Sequence, residues 1–219
     1  MRHQRLLQYI DIFYKLATDS EKLPENSDDI DTVLKNLSKL ETFKARIDYA
    51  EKNLDHLSSG SARVIYTFDN KKEVLKLAKN DRGVAQNKAE SKVKCKYVIE
   101  TTKSDPNGVW KISPYAEKIT EKEFEKYAGF PFEDFGQALE YGLRSVSDNT
   151  EKKPKDFDKI SKTEMYKNLV ECGKKHDLLP GDLSRISSWG KMGDKPIVLD
   201  AGLTSEIYDE FYNTAEKSS

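Results

Sequence analysis

The chain has 219 residues, with 37 Lys and Arg against 38 Asp and Glu, 37% hydrophobic residues and 34% charged ones. These values describe a globular protein with a charged surface, built as one domain of two lobes or as two small domains. A formal net charge of −1 supplies no overall positive field to draw in nucleic acid or an acidic membrane, so only a local basic patch stays open.

No stretch approaches the roughly 20 apolar residues needed to cross a bilayer. The first residues, Met1 to Asp11, lack the apolar core and small-residue cleavage site of a signal peptide. The expected location is a cytoplasm, or a particle packaged from one. The two cysteines, Cys95 and Cys172, form no metal or redox motif and read as buried or half-buried thiols of a reducing compartment. The histidines His3, His56 and His176 are scattered, which gives a zinc site little support.

In chain order, Leu6, Leu7, Ile10, Phe13, Tyr14, Leu16 and Ala17 make one helical stripe, and Val33, Leu34, Leu37, Leu40, Phe43 and Ile47 make another. Pro24, Asn26 and Ser27 separate them, so residues 1–57 are expected to form a helical hairpin that braces the main domain. From Ser58 the period changes to two. Ser58 to Phe68 and Glu73 to Lys79 predict a β-hairpin around a short polar turn. Asn80, Asp81 and Gly83 end it, and a helix runs through Val84, Ala85, Asn87, Ala89 and Val93. Strands are expected at Cys95 to Thr101 and Val109 to Ser113, joined by the turn Asp105-Pro106-Asn107-Gly108.

After Pro114 the pattern is helical again. Thr120 with Glu123 has the spacing of a capping box, a segment passes through Phe135, Leu139, Tyr141 and Leu143, and another runs from Thr163 to Lys175. The charged stretch Ser147 to Lys155 between the last two reads as a surface loop. Near the end, Ile197-Val198-Leu199 is an apolar strand that delivers Asp200 into a turn freed by Gly202.

Lys76 lies on the second strand of the hairpin, on the face shared with Val74 and Ala78. A lysine on an inward face needs a carboxylate or phosphate partner. Glu90, fourteen positions later on the next helix, is the natural candidate. Without it, Lys76 would be an edge lysine with a packed stem and its ammonium in water. Asp200, emerging where a buried strand ends, suits a magnesium ligand. Asp182, in Leu179-Pro-Gly-Asp-Leu183, is a second acid that taken alone reads first as a turn residue.

In this order and spacing the segments resemble a protein kinase, and specifically the reduced kinase-like proteins encoded by tailed bacteriophages. Ser58 to Tyr66 resembles the loop over the phosphates, Val74 to Asn80 the lysine strand, and Gly83 to Glu90 the helix with its glutamate. Val109 to Lys118 resembles the strand and hinge beside an adenine, Gly181 to Gly190 the catalytic loop, and Val198 to Leu203 the metal-binding Asp-x-Gly turn. The match spans residues 58 to 204.

The resemblance implies an α+β, protein-kinase-like fold. The helical brace of residues 1–57 would precede a small β-rich nucleotide-binding lobe over 58–118 and a reduced helical lobe over 119–219. It implies ATP and Mg²⁺ as cofactors. Lys76 would contact phosphates, Glu90 would orient Lys76, and Asp182 would accept a substrate hydroxyl proton. Gly60, Ser61 and Val64 would lie over the nucleotide, with the backbone around Tyr115 and Glu117 at the adenine edge. Asp200 would hold the metal, with Ser188 near the place of a second ligand.

The pattern also departs from the family. One glycine, Gly60, stands in the phosphate loop, the asparagine expected after the catalytic aspartate is replaced near Ser187 or Ser188, and seventeen residues follow Gly202. These departures count against an active kinase, whereas Lys76, Glu90, Asp182 and Asp200 together favour nucleotide binding, and the expected function is an ATP-Mg phosphotransferase acting on a protein or small-molecule hydroxyl. The alternative is a pseudokinase or interaction module of a bacteriophage, in the virion or in host takeover, with weak nucleotide binding or none. The partners expected are a nucleotide and, in the alternative reading, a second protein, with neither a membrane nor nucleic acid.

Overall fold

The structure, a computed structural model, describes residues 30 to 68, 71 to 144 and 152 to 213. The expected first helix, Leu6 to Ala17, and residues 147 to 151 of the expected surface loop lie outside them. The described residues form a mixed α/β assembly of two antiparallel sheets with helices packed around them.

The second apolar stripe is divided between two helices, α1 (Ile30–Lys39) and α2 (Phe43–Asn53). Thr42 caps α2 by accepting a hydrogen bond from the Ala45 amide, which ends the run between them. Strands β1 (Asp55–Ser59), β2 (Arg63–Phe68), β3 (Glu73–Ala78), β4 (Lys103–Ser104) and β5 (Trp110–Pro114) form one sheet in the order β1-β2-β3-β5-β4. The expected single strand Ser58 to Phe68 is thus two antiparallel strands that meet at Gly60, whose amide donates to the Arg63 carbonyl at 2.9 Å. Asp55 to Leu57 belong to the sheet and not to the helical brace.

Register decides what each face of this sheet carries. Ile65 pairs with Lys76, and Lys76 with Lys111, so these share one face with Arg63, Val74 and Ser113. Val64, Tyr66, Leu75, Leu77, Trp110 and Ile112 occupy the other face and bury against Val33, Leu34, Leu37, Tyr49 and Ala50 of α1 and α2. The two helices cover the apolar face and leave the cationic face to helix α3 (Asp81–Lys92). Asn80 opens α3 by accepting from the Gly83 amide.

The expected strand Cys95 to Thr101 contracts to a bridge between Val98 and Val198. There the Ile99 amide donates to the Val198 carbonyl and the Val198 amide to the Tyr97 carbonyl, while Cys95 is bonded to Cys172.

The second sheet, β6 (Glu117–Lys118), β7 (Trp189–Met192) and β8 (Lys195–Val198), is ordered β6-β7-β8. Around it pack α4 (Glu121–Ala128), α5 (Phe132–Leu143), α6 (Phe157–Ile160), α7 (Glu164–His176), α8 (Pro180–Leu183) and α9 (Ser205–Phe211). The Thr120 and Glu123 capping box is formed. Trp189, paired with Val198 across the sheet, stacks edge-on against Phe124, Phe132 and Phe135 in the second apolar cluster.

Cys95 and Cys172, read from their spacing as separate thiols, form a disulfide with a Cα–Cα distance of 6.1 Å across 77 residues of chain. Spacing hid this because the pairing depends on α7 folding back beside the end of α3. His176, one turn beyond Cys172 on α7, has a ring nitrogen within 4.8 Å of both sulfurs. No helix among the described residues is long and apolar enough to cross a membrane.

Candidate functional site

The cationic face of the first sheet, helix α3 and the segment after β8 converge on one buried carboxylate. Glu90, 3% exposed, holds the Lys76 ammonium at 2.9 Å and the Lys111 ammonium at 2.6 Å through one oxygen. Its other oxygen takes the Arg63 guanidinium at 2.7 Å. Arg63 reaches on to Asp200 at 2.8 Å and to the Asn87 side-chain oxygen at 3.4 Å. Lys76 donates also to the Leu199 carbonyl at 2.6 Å, so strand β3 is tied directly to the residue before Asp200. The Asn87 amide donates to the Lys76 and Gly108 carbonyls, which fixes α3 against β3 and the start of β5.

Three cations thus face two carboxylates, and the excess positive charge is buried. Burial opposes charge on Glu90, but Arg63, Lys111 and Lys76 together hold its carboxyl well below the ordinary range. Burial pushes Lys76 down to about 8, helped by Arg63 and Lys111 and opposed by Glu90. Arg63 is also desolvated, yet Glu90 and Asp200 raise its pKa and keep it charged. A buried cation excess of this kind favours an anionic ligand. The Ser113 hydroxyl, on the same face as Lys76 and 1% exposed, has no hydrogen-bond partner among the described residues. Both features fit an anionic group that accepts hydrogen bonds.

Asp182 and Asp200 come from different elements and sense each other. Trp189 Nε1 donates to the Leu183 carbonyl at 2.9 Å, which pins α8 against β7. The Leu199 amide donates to the Ser188 carbonyl at 2.7 Å, which sets where β8 ends. Burial pushes Asp182 up to about 6, and the charge of Asp200 adds to this against the pull of Arg185 and Arg63. Asp182 lies in the one-turn helix α8 and not in a simple turn.

The structure therefore joins Lys76, Glu90 and Asp200 through ion pairs and the Lys76–Leu199 hydrogen bond, Asp182 feels the charge of Asp200, and Ser188 meets the segment only through its backbone carbonyl. Gly60 and Ser61 form the exposed turn beside Arg63. Val64 does not join them: the β2 register turns it onto the apolar face beneath α1 and α2, and Ile65 takes the face of Lys76. Tyr115, whose amide donates to the Lys72 carbonyl, lies in the connection between the sheets, and Glu117 opens β6 of the second sheet, paired with Lys191.

Arg63, Lys111 and Asn87 were missed from the sequence. The signal for Lys111 was a lysine between Trp110 and Ile112 in a buried strand, and for Arg63 an arginine in phase with Lys76 across the hairpin.

The side chains as they stand do not suit a magnesium ion at Asp200. The Asp200 carboxylate is already neutralised by Arg63. A divalent cation roughly 5 Å from that guanidinium would meet a repulsion on the order of 6 kcal/mol at an effective dielectric constant of about 20. The acids Glu90, Asp182 and Asp200 also form no three-carboxylate cluster within 4.8 Å among the described residues.

No family model matches the chain, and no curated protein matches it. Among solved structures, the chain is similar to one described as a streptomycin–ATP–APH(2")-IIa ternary complex, at 15% identity and a TM-score of 0.33. The similarity covers 68% of this chain and 65% of that one, so the chain spans about two thirds of its length.

Proposed function

We propose that the protein is a kinase-like phosphotransferase that takes ATP as donor and a protein or small-molecule hydroxyl as acceptor. The observation that carries this reading is the buried Lys76–Glu90 pair at 2.9 Å, with Lys76 bonded also to Leu199 beside Asp200. A strand lysine, a helix glutamate and an acidic segment after a second sheet are thereby joined, the protein groups, apart from the metal, of a kinase-type phosphoryl-transfer site.

In this reading Lys76 meets the phosphates and Glu90 fixes its position. Asp182, raised to about 6, accepts the proton of the attacking hydroxyl at neutral pH, where it is largely ionised yet still basic enough to help. The hydroxyl oxygen then bonds to the terminal phosphorus as ADP leaves. The phage setting rests on the sequence resemblance alone.

A second reading is a pseudokinase that binds nucleotide or a protein partner without turnover. The Arg63–Asp200 pair at 2.8 Å supports it, because the acid that resembles a metal ligand is already engaged. Melting temperature with added ATP, followed by transfer of labelled terminal phosphate to the protein itself or to added acceptors, tests both. Stabilisation lost in Lys76→Met together with label transfer lost in Asp182→Asn is expected of the first reading. Stabilisation without transfer selects the second, and no ATP response in the parent overturns both as nucleotide proteins.

A further inference from the structure

We infer that Arg63 is a resident counter-cation of Asp200, keeping divalent metals off that carboxylate so that the site takes polyphosphate without one. The nucleotide part of this inference rests on the proposed function, whereas the exclusion of metal does not.

The geometry is specific to Arg63. It opens β2 directly opposite Ala78, whose small side chain leaves room for the guanidinium to turn toward α3. The group is 5% exposed and is held from three sides, by Glu90 at 2.7 Å, Asn87 at 3.4 Å and Asp200 at 2.8 Å. Asp200 is the more exposed partner of its pair, with 39% of its side chain accessible against 6% for Arg63. The arginine is therefore a fixed part of the interior, and the carboxylate comes to it. An arginine carries five donors in a rigid fork. The three contacts leave others for phosphate oxygens, the service a metal gives when it bridges them. Gly202 lets the Asp200 segment close: a Cβ there would stand 2.9 Å from the Glu90 carboxylate and 3.1 Å from the Gln86 side chain.

Charge explains why the arginine and a metal exclude each other. With Arg63, Lys76 and Lys111 against Glu90 and Asp200, these five groups carry an excess of one positive charge, and a divalent ion would raise it to three. Removing Arg63 leaves them balanced, with Asp200 unpaired and open to a cation.

The test uses the full chain with Mn²⁺ alone as the first probe, read by electron paramagnetic resonance of the free ion. The parent and Asp200→Asn are expected to give the same Mn²⁺ response. Arg63→Gln should gain a site binding Mn²⁺ about tenfold more tightly or better, lost again in Arg63→Gln/Asp200→Asn. Arg63→Lys, which keeps the charge, should stay like the parent. A parent site that disappears in Asp200→Asn overturns the inference, as does a folded Arg63→Gln that gains nothing. Where Arg63→Gln does not fold, the parent, Asp200→Asn and Arg63→Lys decide it.

The second probe is ATP, read by melting temperature in EDTA and in Mg²⁺. Equal stabilisation of the parent in both supports metal-free binding, and stabilisation only with Mg²⁺ overturns it. No stabilisation in either condition defeats the nucleotide reading, and the Mn²⁺ result still decides the role of Arg63.

Discussion

Lys76 and Lys111 stand directly opposite each other on adjacent antiparallel strands, and both ammonium groups end on the same oxygen of Glu90. Like charges facing each other across a sheet are destabilising unless a shared anion separates them. Glu90 is that anion, and Arg63 on its other oxygen makes it the pivot of three buried cations.

Glu90→Gln should accordingly destabilise the protein by about 3–5 kcal/mol, since it leaves buried cations without their partner. Lys111→Met should cost much less, because it relieves the cation excess and fills the same space. The pH dependence has a definite sign. The Glu90 pKa in the folded protein lies well below its ordinary value near 4.5, so its contribution is complete above about 4.5 and fades as pH falls toward the folded value. Urea unfolding from pH 7 down to pH 3 should show the gap between parent and Glu90→Gln narrowing toward acid. A constant gap would mean that Glu90 is not the titrating group.

Asp182 titrates in the opposite sense. Its folded pKa is raised to about 6 from 3.8, so ionisation costs stability, a cost absent below about pH 4 and complete above about pH 6. Asp182→Asn should therefore be more stable than the parent at pH 7 to 8, by on the order of 1 kcal/mol after discounting for the partly exposed carboxyl. The two should unfold alike below about pH 4. Parallel melts across this range check it, and a destabilised Asp182→Asn at pH 8 would place a hydrogen bond on Asp182 instead of a desolvated charge.

Local pattern made much of the fold legible. Alternation in Glu73 to Ala78 gave β3 and the face of Lys76, the Thr120 and Glu123 spacing gave the start of α4, and the apolar run before Asp200 gave a strand, although it ends at Val198. The pairing of Lys76 with Glu90 followed from strand phase and the next helix. What stayed hidden depends on chain segments far apart. Arg63 meets Asp200 across 137 residues, and Cys95 meets Cys172 across 77, distances over which neither period nor spacing carries information. Val64 was assigned to the nucleotide by resemblance alone, and its register opposite Leu77 puts it on the apolar face instead.

Reduction of the Cys95–Cys172 disulfide should lower stability by about 2–4 kcal/mol, since the bond closes a long loop in the unfolded chain. It links the segment after α3, the helix that carries Glu90, to α7. Denaturant unfolding with and without reductant, beside a Cys95→Ala/Cys172→Ala variant, measures the effect. Intact mass before and after alkylation shows whether the bond is present. Unchanged stability on confirmed reduction would mean that packing alone holds these segments together.

Gly83→Ala should destabilise the protein although alanine is the better helix former. A Cβ at Gly83 would stand 2.2 Å from the Ala62 carbonyl oxygen and 3.1 Å from the Ala78 Cα, both backbone atoms that cannot rotate away. The first turn of α3 would have to lift from the end of β3, straining the Asn80 cap on the Gly83 amide and the Asn80 hydrogen bond to the Ser61 carbonyl at 3.1 Å. Overpacking of this kind costs about 1–3 kcal/mol, against a helix-propensity gain of about 1 kcal/mol for replacing glycine by alanine. The net should be a loss, and displacement of α3 should also move Asn87 and Glu90 away from Lys76. Gly181→Ala is the matched control: it too lies in a helix, with nothing within 4 Å of its added Cβ, so it should be neutral or slightly stabilising. Thermal melts of the two variants beside the parent decide the matter, and a Gly83→Ala protein as stable as Gly181→Ala would mean that α3 does not press on Ala62 as tightly as the structure has it.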